Sequence, residues 1–215
     1  MGLFNRKPKQ PKSLADAGFG IRGNAVHFGR FPITSMKPEP IPWIVVETDG
    51  ESSTLLSVHG LYHAQFSDDP WCKREFSNSP ISGWLNGTFY ETAFTAGERE
   101  KLLSTKIYEE AQEDEDDEPR ITGSAYKDVW LPSRSEIEKW LASGNRTAYN
   151  TPFAEAQAKA LGEDTFTSHE CLYWTRTFNH RALNPMIYFY MFGDARHGSP
   201  LDKHGVRPVI RVDLT

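Results

Sequence analysis

Several residue groups have types and spacings that could support chemistry, and each also has a plainer structural role open to it. His59-Gly60-Leu61-Tyr62-His63 places two histidines four apart. A helical zinc site of that spacing needs a glutamate directly after the first histidine and a third ligand elsewhere. Gly60 stands where the glutamate belongs and weakens a helix, so the pair reads as ordinary histidines of a loop or strand end. His169-Glu170-Cys171 has the residue types of an activated thiol. A cysteine adjoining Leu172-Tyr173-Trp174 is instead expected to be a small buried hydrophobe. Strand alternation would turn His169 and Cys171 to the same face. Gly18-Phe19-Gly20-Ile21-Arg22-Gly23 matches the glycine pattern of a dinucleotide turn. That turn works only between a strand and a helix whose amides hold the pyrophosphate. Here a polar stretch precedes it and the strand-like Asn24–Phe31 follows. The acidic run Glu109–Glu118 offers hard oxygen ligands, yet it lacks the glycine turn of a calcium loop and Pro119 closes it. No metal site and no cofactor is expected.

The segment Phe178–Gly205 is the strongest binding candidate. It concentrates His180, Arg181, Tyr188, Tyr190, Asp194, Arg196 and His197. Tyrosine and arginine are favoured where few contacts carry most of the binding energy. The plainer alternative is a core hairpin with polar turns.

Composition bounds the function. The chain has 215 residues, with 25% charged and 38% hydrophobic residues, as in ordinary globular domains. No apolar run approaches the length of a membrane span; Met186–Phe192 is only strand length. The net charge of −5 hides an asymmetry, since removing the eight carboxylates of Glu109–Glu118 leaves +3. That near-neutral body lacks the strong basic face of a nucleic-acid binder. The two cysteines, Cys72 and Cys171, and the lack of an apolar segment after the basic start point to reduced thiols and a cytoplasmic location.

The elements that position these groups follow from pattern. Residues 1–20 form a basic lead with too little apolar content to fold alone, and a single domain spans 24–215. A first strand near Val26–Phe31 and a hairpin of Ile41–Glu47 with Ser53–Val58, turned at Thr48-Asp49-Gly50, open the domain. Trp84, Leu85, Phe89, Tyr90 and Phe94 have helical spacing, with a break expected at Asn86-Gly87. Thr95 with Glu98, and Ser133 with Glu136, are capping boxes, the first opening a helix through Leu103 and the second a helix burying Ile137, Trp140 and Leu141. The acidic run between them, 109–118, is expected to be a mobile insert. Thr151-Pro152 caps a further helix that Gly162 ends. Strands, then helices, then strands indicate an α+β fold. The first and last strands, Val26–Phe31 and Val206–Leu214, are expected to lie side by side.

Phe28-Gly29-Arg30-Phe31-Pro32, Trp84-Leu85-Asn86-Gly87, Tyr173-Trp174-Thr175-Arg176 and Gly205-Val206-Arg207-Pro208 occur in the order and spacing of a known set of motifs. On these the chain resembles a bacterial family of domains of unknown function (DUF6273-like). That family looks related to the C-type-lectin-like fold of formylglycine-generating enzymes and of phage and bacterial variable proteins. The resemblance implies twisted antiparallel sheets, a few helices and long loops. It also implies architectural roles for Trp84, Asn86, Trp174, Arg176, Arg207 and Pro208, with both arginines buried and hydrogen-bonded. The cysteine pair of the oxidising enzymes is not matched, because Cys72 and Cys171 lie far apart in sequence. Two functions follow. One is a binding module whose partner is a protein, a glycan or a small molecule. The alternative is a thiol- or metal-dependent enzyme on the same scaffold.

Overall fold

A computed structural model describes residues 20–22, 25–70, 75–113, 117–162, 169–181 and 185–214, with side chains from Ala25 onward. Residues 1–19 of the expected lead, Cys72 and the centre of the acidic run lie outside the described residues.

The chain opens with β1 (Gly20–Arg22), β2 (Ala25–Pro32), β3 (Pro38–Thr48), β4 (Ser52–Ser57) and β5 (Tyr62–Gln65). Gly20–Arg22 is thus paired strand, which removes the strand-to-helix setting a dinucleotide turn requires. The β3–β4 hairpin is as the sequence indicates. Asp49 Oδ1 accepts from the Glu51 and Ser52 amides at 3.0 and 2.8 Å, and Gly50 takes φ 90°, a conformation costly for other residues.

Helices follow: α1 (Pro80–Trp84), a π-helical turn (Leu85–Phe89), α2 (Tyr90–Ala93) and α3 (Ala96–Arg99). The break expected at Asn86-Gly87 is a widened turn within a continuing helix. The Asn86 amide group explains it: Nδ2 donates to Ser82 O and Val129 O, while Oδ1 accepts from the Asp128 and Val129 amides. Asn86 therefore ties the helix to a strand, and the wider turn gives its side chain access. α3 stops short of Leu103 because Leu102 bridges to Val212 in the last strand.

The second half contains β6 (Thr105–Gln112), β7 (Arg120–Lys127), β8 (Val129–Trp130), α4 (Arg134–Trp140), β9 (Ala148–Tyr149), α5 (Pro152–Ala160), β10 (Glu170–Cys171), β11 (Tyr173–Asn179), β12 (Met186–Phe189), β13 (Ala195–Gly198), β14 (Lys203–Val206) and β15 (Val209–Asp213). The expected mobile insert is corrected at its start, where 109–112 are strand and largely buried. The reason is unmet backbone donors. The Glu109 carboxylate accepts from the Phe76 and Ser77 amides at 3.0 and 2.8 Å, capping a 3-10 turn (Phe76–Asn78), and Glu110 accepts from Ser133 Oγ and Thr177 Oγ1.

One sheet has the order β1-β2-β3-β4-β15-β8 with antiparallel neighbours. The first and last strands share it but are separated by β3 and β4, which corrects the expectation of adjacency. Their apolar patterns show that both are internal; they do not choose neighbours. The second sheet runs β13-β12-β11-β14-β5, with β6 and β7 joined to it through β11. The expected single closing strand is two strands in different sheets, because Pro208 cannot donate to a ladder and the chain crosses over at Arg207-Pro208. Ser57 N donates to Pro208 O, and Leu61 N to Val206 O, fixing the crossover on both sides. Between the sheets lies an aromatic core including Trp43, Phe66, Phe76, Phe89, Phe94 and Trp174. Trp43 and Trp174 satisfy their indole N–H groups on Phe28 O and Ala64 O, both at 2.8 Å. The architecture is mixed α+β.

Candidate functional site

A polar cleft of about 250 Å³ opens between α4, the end of β6 and the β12–β13 hairpin. Its basic groups come from separate elements: Arg134 from α4, Arg146 from the loop after it, and Arg196 and His197 from β13. Gln112, Glu138 and Asp194 complete its polar lining.

Local sequence explains how these groups are held. Ser133 caps α4, so Arg134 and Glu138 share a helix face one turn apart, and Arg134 Nε meets Glu138 Oε1 at 2.9 Å. Arg134 Nη1 donates to Gln112 Oε1 at 2.8 Å, and its amide to Thr177 Oγ1 at 2.8 Å. Arg146 donates from Nε to Leu141 O at 3.2 Å, and its Nη1 lies 3.9 Å from the same Glu138 oxygen. One carboxylate thus orients two guanidinium groups. The hairpin wall is pressed close by Gly193 at φ 78°, where a Cβ would come within 2.9 Å of Ser143 O and 3.0 Å of Arg146 Cβ. The turn is closed by Gly193 N to Tyr190 O and Tyr190 N to Asp194 O. His197 faces Ile187 across the ladder and meets Asn179 Nδ2 at 3.3 Å.

The candidate residues named from sequence divide here. Asp194, Arg196 and His197 line the cleft. His180 and Arg181 are exposed just beyond it: the His180 amide donates to Gln112 O, the ring sits edge-on to Phe178, and Arg181 pairs with Glu113 at 2.7 Å. Tyr190 is half-buried at the hairpin end beside Phe192, which is 71% exposed. Tyr188 belongs to an aromatic stack, its ring 4.2 Å from His204, which in turn lies 4.3 Å from Trp174. Burial, and then the neighbouring His63, press the His204 imidazole down to about 4. Gln112, Arg134, Glu138 and Arg146 were not singled out from sequence. The Arg134–Glu138 helical pair was legible there; the position of Arg146 was not.

The thiol and histidine candidates come out differently. Cys171 is buried, and burial pushes it up to about 12 against the opposing influence of Arg207. Its sulfur packs on Gly60 and Gly205, where a Cβ would come within 2.3 and 2.1 Å of it. An active nucleophile needs the opposite, a thiolate stabilised near neutral pH. His169 is not on the cysteine's face: β10 begins only at Glu170, and the exposed His169 pairs with Glu155 at 2.7 Å. Of the two histidines four apart, His63 lies in β5 and bonds Asn150 Oδ1 at 3.0 Å; burial lowers its pKa. Among the described residues no three His, Cys, Asp or Glu side chains come together in a metal-holding group.

The motif residues hold the frame. Arg176 and Arg207 are both buried, Asn86 joins helix to strand, and Pro208 marks the change of sheet. Trp84 is half-buried and packs on Tyr62, Phe31 and Phe89.

Fold and cleft together define an α+β domain with an arginine-lined polar depression on one face. A family model described as a domain of unknown function, DUF6273, matches residues 51–214. The chain belongs to that family. No curated protein and no solved structure matches it. Among the described residues no helix is long and apolar enough to cross a membrane.

Proposed function

We propose that this chain is a binding module on a C-type-lectin-like scaffold, and that its cleft captures an anionic group, carboxylate or phosphate, of a protein, glycan or small-molecule ligand. The observation that carries the reading is the convergence of Arg134, Arg146 and Arg196 on one cleft, two of them oriented by Glu138. Preoriented guanidinium forks match such oxygens bidentately, and little side-chain entropy remains to be lost on binding. His197 and Asp194 add a donor and an acceptor for a polar neighbour of that group, with His180, Arg181 and Tyr190 flanking. Tyr188 serves the core of the module. A cytoplasmic location and a bacterial source accompany this reading. The buried, strongly basic thiol of Cys171 supports binding over thiol catalysis.

The test is an array of acidic glycans and acidic peptides beside neutral counterparts, probed with the full chain and with its Arg146→Gln/Arg196→Ala variant. Retention of acidic probes by the wild type, weakened at least tenfold in the variant at an unchanged melting temperature, is the expected result. Equal retention by both proteins, or preference for the neutral probes, rejects the site.

A further inference from the structure

The main path of the second sheet, β13-β12-β11-β14-β5, ends on two strands whose outer edges differ. β5 is covered: His63 N donates to Gln157 Oε1 at 3.0 Å and Gln157 Nε2 donates to His63 O at 3.3 Å, so a side-chain amide of α5 stands in for the next strand. β13 pairs only with β12 among the described strands. An unpaired strand edge is a row of main-chain donors and acceptors, a template for another strand. The register tells which groups it offers, because antiparallel pairs alternate between exchanging main-chain bonds and exchanging none. At the hairpin end Tyr190 N donates to Asp194 O, so the next pair, Phe189 with Ala195, exchanges none and Tyr188 with Arg196 exchanges both. Ala195 therefore turns its N–H and its C=O away from β12, and neither meets a described residue. The same alternation turns Ile187 toward β11, where its carbonyl accepts from Thr175 Oγ1 at 2.7 Å.

The basic cleft runs along this edge. A strand met on one face contributes alternate residues to a surface. The cleft is lined by every residue from 193 to 197, so it follows the backbone of the strand rather than one of its faces. Beside it stand Arg134 and Arg146, both held by Glu138, and three arginines against Glu138 and Asp194 leave the lining net positive. A glycan or a free anion uses the guanidinium groups and leaves the main-chain edge unmet. An extended acidic segment uses both, with main-chain bonds to alternate residues of β13, Ala195 among them, and carboxylates on the cleft side. A second copy of β13 is a poor occupant, because pairing the edge with itself brings the Arg196 side chains of the two copies together.

We propose that the ligand of this cleft is an extended acidic segment of another protein, added as a strand to the free edge of β13 with a carboxylate on Arg134 and Arg146; this rests on the anion-binding reading above. The probe is a fluorescein-labelled, capped peptide of alternating valine and glutamate. Its carboxylates share one face, and its glutamate and valine amides point to opposite edges. Two analogues, one N-methylated at every glutamate and the other at every valine, lose main-chain donors on one edge and keep the charge. Fluorescence anisotropy with the full chain is expected to show that one analogue binds at least tenfold more weakly than the parent while the other binds as the parent does. Ala195→Pro removes the outward N–H without breaking the β12 ladder, and is expected to weaken the parent peptide at least tenfold at an unchanged melting temperature. Equal binding of the two analogues overturns strand addition, as does equal binding of the parent peptide to the wild type and to folded Ala195→Pro. Acetylglutamate methylamide carries one carboxylate and cannot form a strand. If it binds as tightly as the peptide, or in its place, the anion-binding reading stands and the strand is rejected. If neither probe binds, both fall.

Discussion

Arg176 and Arg207 are both buried arginines of the second sheet and its margin, yet their surroundings are opposite. Arg176 sits where one edge of β11 changes partners, from β14 at Tyr173 to β6 at Phe178. The diverging strands leave backbone carbonyls to be met, and the guanidinium meets them: Nε donates to Tyr108 O at 2.9 Å and Nη1 to Leu131 O at 2.8 Å. Both terminal nitrogens then grip Glu136 at 2.6 Å. Burial works against this charge, but Glu136, Glu110 and Glu109 more than offset it and raise the pKa. Arg207 donates from Nε to Ser57 O at 2.8 Å and lies 5.1 Å over the Tyr173 ring, while its Nη1 has no partner among the described residues. Nearby His204 Nε2 and His63 Nδ1 are likewise buried without partners. The contrast teaches that burial alone does not make an arginine a clasp. A paired and fully bonded guanidinium holds structure, whereas a partly bonded one marks a region whose stability depends on conditions.

The largest expected effect breaks the first region. Glu136→Ala strips Arg176 of its carboxylate and removes the return bond of the α4 capping box at once. A loss of about 3–5 kcal/mol is expected in chemical denaturation, the range for orphaning one member of a buried pair. A loss under about 1 kcal/mol would place the clasp elsewhere.

The next effect sharpens the second region. The folded pKa of His204, about 4, lies below its ordinary value of 6.5, so the unfolded chain takes up the proton first as pH falls. Its neutral packing is fully tolerated above pH 6.5, and stability declines from there to about pH 4, by on the order of 3 kcal/mol. His63, lowered by burial as well, adds in the same direction. Measured unfolding free energies should show this slope, and His204→Leu should flatten it. An unchanged slope in that variant would assign the acid sensitivity to other groups.

The smallest effect sets the two arginines side by side under one substitution. Arg207→Met keeps most of the apolar stem and removes an uncompensated charge, so about 1 kcal/mol or less is expected to be lost. Arg176→Met leaves Tyr108 O, Leu131 O and Glu136 without their donor and should cost about 3 kcal/mol. Equal losses in thermal and urea melts would erase the distinction between the two sites.

Legibility of the fold followed range. The capping boxes at Thr95 and Ser133, the Thr151 cap and the Asp49-Gly50 hairpin are all present where local chemistry puts them, because each is closed by bonds within a few residues. The acidic run was legible only as charge: Glu109 and Glu110 look solvated in sequence, and their buried amide and hydroxyl partners are more than twenty residues away. The cleft was half legible. Arg196 and His197 stand in an aromatic, polar segment that advertises itself, while Arg146 reaches the site through a loop whose path depends on Gly193 closing against it.

By itself, then, the sequence determined the α+β class, the helix starts, the family and the burial of Arg176 and Arg207, because hydrophobic period, caps and motif order act locally or are carried intact along the chain. Only the tertiary structure decided that β2 and β15 are separated by two strands, that the closing motif is divided between two sheets at Pro208, and that Arg134, Arg146 and Arg196 meet. Those outcomes depend on strand register and on donors satisfied across long separations, and a side-chain pattern fixes which face is buried without fixing what lies opposite.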